Sequence, residues 1–503
     1  MFKLISAAAL ALATTTALVT PAMAEVQNDA ETLAIGGFLD NRTFDRGQLQ
    51  ASHWAKYWQP VFDTLLRIDA EGNISGNVAT DYSFAEDRSS LTLTLRDGLS
   101  FTNGEPVDGA AVKANIEFLQ NATGQNKWMV GGISEVEVVS PTEVVLHIAE
   151  PNPALLFGLA TVGGALAAPS TLGTEEAKTV PVGSGPYVYD TEDSVVGRQY
   201  VYKRNPDYWN PQDFPFEQIT ITPIRDMSAR MNALQSGQID AGVGDPRAAS
   251  EAEATGLTVA SNPNNFFGIF IADRAGDMVP ALGDVRVRQA INMAFDRASI
   301  LKYIDNDYGQ VTNQPLVSPN ALNNPDLEGS YDYDPEAARA LMAEAGYADG
   351  FTVPMPEVAS MASYNPIVEQ QLAQIGITVD WVKISPTGTI PELLSGKYPM
   401  FLFRLGTQTA WGDVLKYIGP DAPWNTSGSQ NDALDKLILE ARNAPLEDQD
   451  AAFQAITTYL VENAWFAPWY QIDAVYFTND EVDVVVPSHN ITPWIYDFQK
   501  TGN

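Results

Sequence analysis

The chain has 503 residues, 45% of them hydrophobic and 18% charged, enough apolar material for full cores and enough length for about three domains or lobes. Its 29 lysines and arginines stand against 63 aspartates and glutamates, a formal net charge of −34, which excludes the basic face that a nucleic acid or an anionic membrane requires. There is no cysteine, and so no disulfide framework, thiolate metal site or cysteine nucleophile.

Residues 1–24 read as a cleaved secretory signal peptide: Lys3, an apolar stretch from Leu4 to Val19, and Ala22-Met23-Ala24 before Glu25. A membrane anchor would need about 20 continuous apolar residues, and Thr14-Thr15-Thr16 and Pro21 interrupt this one. No cysteine follows the cleavage point to carry a lipid. The mature chain is expected to be free rather than membrane-inserted, in an exported compartment, most simply a bacterial periplasm. Its acidity reads as a solvated surface.

Strands and helices alternate in the manner of a mixed α/β protein. Thr32–Phe38 is the first expected strand of the mature chain, and Ala55–Arg67 carries an amphipathic pattern. Leu91–Arg96 alternates leucine with threonine, the period of a half-buried strand. Asp108 caps a helix with Val112, Ile116 and Leu119 on one face, and Val136–Val139 with Val144–Ile148 reads as a hairpin. Asp226 opens a helix that ends at Gly237, before a strand at Ile239–Val243. Asp284–Ile304 reads as one long helix. Asp334-Pro335 opens another that stops at Gly346. Ile367–Ile375, Gly376 and Ile377–Ile384 form a helix–strand unit, and helices at Asn431–Asn443 and Asp450–Asn463 precede a β-rich end.

Several of these stretches are similar to motifs of the extracytoplasmic solute-binding proteins of peptide/nickel (family 5) ABC importers. In chain order they are Leu91–Gly98 with Phe101 and Asn103-Gly104-Glu105-Pro106, Pro181-Val182-Gly183-Ser184-Gly185-Pro186-Tyr187, and Arg204-Asn205-Pro206-Asp207-Tyr208-Trp209. Ala233-Leu234 with Gly237–Ala241, Val285–Ile291, Asp334–Ala337 through Glu344–Tyr347, and Gln370–Leu372 through Gly376-Ile377 follow. Each is weak alone, but their order and spacing span nearly the whole mature chain. The resemblance, which extends to dipeptide- and oligopeptide-binding proteins, implies a periplasmic-binding-protein-like, two-lobed α/β clamp of class II type with an appended domain. It places lobe I at 25–60, 181–275 and 476–503, the appended domain at 61–180 and lobe II at 276–475. It further implies a small-molecule ligand between the lobes and delivery to an inner-membrane ABC permease, by a monomer that does no covalent chemistry.

In peptide-binding relatives the stretch matching Pro399–Tyr417 holds the peptide, and an acidic side chain there takes the free ammonium. Here that place is filled by Thr407 or Gln408, which are neutral. The departure points to hydroxyls, amides or a blocked N-terminus. Candidate ligand-binding residues are Arg404, for a ligand carboxylate or an internal ion pair, then Gly406, Thr407, Gln408, Thr409 and Asp413. Trp411 and Trp424 are candidate apolar platforms, Asn265 and Phe266 candidates near the lobe crossing, and His53 and Trp54 candidates near the first hinge.

Histidine occurs at 53, 147 and 489 only, too scattered for a dedicated metal site, and no phosphate loop, serine elbow or zinc helix occurs. No cofactor is expected. A peptide or modified peptide is the first expected ligand, with an oligosaccharide or a metal chelate as alternatives. A secreted carbohydrate-active hydrolase is the rival from another class, resting on abundant carboxylates alone.

Overall fold

A computed structural model describes residues 31–315, 322–429 and 431–502. The expected signal peptide lies outside them. Thr32–Gly37 forms the first strand, flanked in parallel by Gln218–Pro223 and Ala241–Val243. The sheet continues antiparallel on one side through Gln199–Arg204 to Tyr187–Val195. On the other it runs through Phe466–Thr478 and Thr258–Ile271 to Met400–Gly406, and Gly309–Val311 also pairs with Phe466–Thr478. Nine described strands thus share one sheet.

Thr258–Ile271 and Phe466–Thr478 are long, 14 and 13 residues, and both pass from one hydrophobic core into another. Ala260, Ala474 and Tyr476 pack with Ile35 and Tyr200. Phe266–Phe267, Ile269–Ile271, Phe466 and Ile472 pack in a second core with Ile291, Tyr364 and Phe401. The cores change over between residues 260 and 266 on one strand and 472 and 474 on the other, before the 275/276 and 475/476 boundaries expected from the sequence. A register break marks the place: Pro263 pairs with Asp473, Asn265 with Ile472, and Asn264 is left out as a bulge. Proline has no N–H to extend the ladder, and the extra residue bends the strand. The two larger cores, joined by crossing strands, make the fold a two-lobed α/β clamp.

Within 61–180, four antiparallel strands are ordered Ala79–Phe84, Ser90–Leu95, Glu143–Ile148 and Ile133–Ser140. Helix Gly109–Asn121 packs on them, capped by Asp108, whose carboxylate accepts from the Ala110 and Ala111 N–H groups at 3.0 Å. Its core is continuous with that of the first lobe. Trp128 also packs against both cores.

Two local expectations change. The helix expected over Asp284–Ile304 is two, Val285–Met293 and Arg297–Ile304, because Asp296 caps the second by accepting from Ser299 N–H and breaks the run. In Ala55–Arg67 only Ala55–Trp58 is helical. Gln59 keeps helical angles, but Pro60 after it has no N–H to continue the ladder, and Val61, Phe62, Leu65 and Leu66 are buried from irregular chain and a short strand instead. Among the described residues no helix is long and apolar enough to cross a membrane.

Candidate ligand-binding cleft

The bulged Asn264 ties the cleft together. Its carbonyl accepts from Thr407 Oγ1 at 2.9 Å and from Thr407 N at 3.3 Å, and its side-chain amide donates to Ser488 O at 2.8 Å. Crossing strand, lobe II loop and C-terminal segment therefore meet at one residue. Among the described residues three chambers adjoin, the first and second sharing Asn265 and the second and third sharing Thr407 and Gln408, and Asn264 lines the second.

The first chamber, about 280 Å³, is lined by Phe38 and His53 of one lobe, by Arg225, Arg230 and Asp245, and by Asn265, Arg404 and Asp473. Its arginines differ in what they have left to give. Arg230 is committed, donating to Val243 O, Ile224 O and Arg225 O at 2.7–3.1 Å. Arg404 has no ion pair among the described residues, and its buried Nε has no acceptor there. Asp245 feels the Arg404 charge, but its hydrogen bonds go to Arg247. Burial pushes that carboxyl up, but the bidentate Arg247 partner, at 2.8 and 2.9 Å, wins and holds it below the usual range. Burial raises the pKa of Asp473 and so weakens its hold on charge. Asp305, the next carboxylate, is taken up by the Tyr364 and Tyr470 hydroxyls. In a strongly acidic protein this chamber is left with surplus positive charge. His53 packs against Phe38 with ring centroids 4.9 Å apart, and burial first, then Lys56 and Arg230, lower its pKa to about 3.

The second chamber, about 290 Å³, is walled by seven side-chain amides: Gln50, Gln125, Asn126, Asn264, Asn265, Gln408 and Asn490. Trp54, Gly406, Thr407, Lys416 and His489 also line it. Each amide can both donate and accept, which suits peptide groups or hydroxyls. The third chamber, about 330 Å³, holds Thr407, Gln408, Thr409 and Trp411 of lobe II opposite Leu156, Phe157 and His489.

The structure brings Arg404, Asn265, His53, Trp54, Gly406, Thr407, Gln408, Thr409 and Trp411 to the cleft. Three sequence candidates lie elsewhere. Phe266 is 3% exposed and packs edge-on against Phe270 and Phe466. Side chains alternate across a strand, so once Asn265 faces the cleft Phe266 must face the core. Trp424 is stacked on Phe403 at 5.3 Å and flanked by Phe270 and Phe401 inside lobe II. Asp413 is 1% exposed and supports the loop from behind, accepting from Gln408 N–H at 3.4 Å. Sequence reasoning missed Arg225, the amides of Gln50, Gln125, Asn126 and Asn490, and His489. A Ser-His-Asn run between Pro487 and Pro493 hints at an ordered irregular segment, but nothing local says that it turns back across the cleft.

A polar latch joins the 61–180 region to lobe II. Arg442 of lobe II pairs with Glu150 and donates to Pro151 O at 3.2 Å, and Arg88 donates to Ala444 O at 2.8 Å. These contacts are half exposed, so each is worth about 1 kcal/mol or less. Arg442→Ala is therefore expected to weaken ligand by up to about fivefold, through faster dissociation, without touching it. Stopped-flow release would show this, and an unchanged release rate would remove the latch from closure.

A family model for bacterial extracellular solute-binding proteins, family 5 middle, matches residues 73–421. The chain belongs to that family. It is 28% identical over 330 residues to the glutathione-binding protein GsiB of Salmonella paratyphi A, a match covering 63% of this chain and 62% of the relative's length. Among solved structures it is similar to NikA of Brucella suis in complex with Fe(III)-EDTA, with a TM-score of 0.81 at 23% identity, covering 93% of this chain and 100% of that one. It is also similar to DppA of Helicobacter pylori in complex with the peptide STSA, with a TM-score of 0.77 at 17% identity over 93% and 98% of the two chains.

Proposed function

We propose that this chain is the periplasmic solute-binding component of an ABC importer, capturing a peptide or modified peptide with a free carboxylate and presenting it intact to an inner-membrane permease. The observation that carries the reading is Arg404, a partly buried guanidinium with no ion pair among the described residues, in a chamber lined by three arginines and two aspartates, of which Asp245 is bound by Arg247 and Asp473 has its pKa raised by burial. A guanidinium binds a carboxylate in two parallel hydrogen bonds. The neighbouring amides and Thr407 suit peptide groups, and no carboxylate lines the middle chamber to take an ammonium. The same amides also suit sugar hydroxyls, so oligosaccharides are the second reading. The reading keeps the division into lobe I, an appended domain and lobe II, and the two larger cores support the two lobes.

Thermal unfolding of ligand-stripped protein tests this against free, C-amidated, N-blocked and γ-linked peptides, oligosaccharides and metal chelates. Ligand at 100 times its Kd adds about 2.7 kcal/mol, a shift of about 3 °C for a chain of this size. Shifts confined to carboxylate-bearing peptides support the reading, and shifts confined to neutral sugars overturn its ligand class. Bound ligand should also change tryptophan emission. Trp411→Phe with Trp54→Phe is expected to abolish that change and Trp424→Phe to keep it, and the reverse pattern would move the ligand out of this cleft.

A further inference from the structure

The far end of the cleft has no part in holding a carboxylate. The third chamber has apolar walls from Leu156, Phe157, Trp411 and Phe453, and Glu71 and Asp450 line it as well. His489 stands where it meets the middle chamber and lines both, although only 4% of the residue is exposed. Trp494 Nε1–H donates to His489 Nε2 across 3.1 Å. An indole nitrogen can only donate, so Nε2 must accept, and the neutral ring carries its proton on Nδ1. Burial keeps the ring neutral, lowering its pKa to about 4.

That Nδ1 is buried and has no acceptor among the described residues. The ring is held in place: it stacks on Trp494 at 28° and meets Phe157 edge-on at 6.0 Å. The backbone is fixed too, since Ser488 N donates to Ala70 O at 2.9 Å while Ser488 O accepts from Asn264. Gln449, on the wall of the third chamber, has a buried Nε2 that is also without an acceptor there. Buried donors left unmet are rare in native proteins, because the lost hydration is not replaced. Both belong to residues that line the third chamber.

We propose that His489 is a specificity-determining hydrogen-bond donor to the ligand, and that the third chamber is a second subsite for an apolar end carrying an acceptor such as an amide carbonyl. This rests on the cleft reading above: the carboxylate at Arg404 sets the ligand's direction, so a peptide's N-terminal end reaches the third chamber.

Acetyl-Phe-Gly-Gly and acetyl-Gly-Gly-Gly share the carboxylate and the peptide groups and differ in the apolar end. The wild type is expected to bind the first at least about tenfold more tightly, and Phe157→Ala to cut that preference below about threefold. With three histidines in the chain, ring-labelled protein gives few nitrogen-bound proton signals, and His489→Phe assigns the one in question. The His489 Nδ1–H signal should move downfield on adding acetyl-Phe-Gly-Gly, and His489→Phe should weaken that peptide about tenfold. Preference without a shift would take His489 out of ligand contact and overturn the donor assignment. Equal binding with no shift would overturn the subsite but leave the carboxylate reading, since both peptides would still lose affinity in Arg404→Ala. Binding of neither peptide would overturn both.

Discussion

Arg404→Ala is expected to weaken a free-carboxylate peptide by about 30-fold or more, roughly 2 kcal/mol, and to leave its C-amidated counterpart almost unchanged. The size follows from removing one partner of a desolvated, hydrogen-bonded charge pair, which typically costs 2–5 kcal/mol. Selectivity follows from geometry, because Arg404 pairs with no carboxylate among the described residues and has little structural work to lose. Arg230 is the contrast. Its three backbone acceptors hold the Ile224–Arg225 turn to Val243, so Arg230→Ala should lower stability for every ligand alike. Calorimetric titration of the two peptides decides. Equal losses for acid and amide would return Arg404 to a structural role.

Asp63→Asn is expected to change stability in a pH-dependent way. Asp63 is buried at the base of the first lobe, one oxygen accepting from the Tyr208 hydroxyl at 2.9 Å, the other without a partner among the described residues. Burial raises its pKa to about 7. A carboxyl whose folded pKa exceeds its unfolded value contributes stability that is full below the unfolded value and lost as pH rises through the folded one. Asp497, also pushed up to about 7 by burial, acts the same way. His53 and His489 act oppositely, their lowered pKa values making stability fall as pH drops below the ordinary histidine range. The wild-type curve therefore mixes opposing slopes, and the variant difference isolates Asp63. Between pH 5 and pH 8 the asparagine variant should gain about 2–3 kcal/mol relative to wild type, at about 1.4 kcal/mol per unit of pKa crossed. Thermal melts of both proteins at the two pH values measure it. A constant difference would mean that Asp63 is ionised throughout.

Most of the fold was legible because its signals are local. Asp108, Asp226 and Asp334 each cap the helix they were expected to open, by accepting from its first N–H groups. Gly346 and Gly376 stop their helices at φ of +88° and +85°, angles that side chains disfavour. The single helix expected over Asp284–Ile304 failed because the hydrophobic period continues through Asp296, while its capping bond to Ser299 is a local competitor that periodicity does not register. Arg404 was legible as a lone charge in an apolar strand. Phe266 and Trp424 were not, because an aromatic beside a candidate loop looks the same whether it faces solute or core. That choice is made by partners distant in sequence: Phe466 for one, and Phe270 with Phe403 for the other. His489 was the least legible, since its role comes from Trp494, Phe157 and Asn264, which only the folded chain brings together.

Native mass spectrometry of the ligand-stripped protein, mixed with matched peptide acids and amides, tests the central claim most directly. A single intact peptide acid bound per chain, absent for the amides and lost in Arg404→Ala, is the predicted result. Cleaved products, or adducts that ignore the carboxylate, would contradict capture by an interlobe guanidinium.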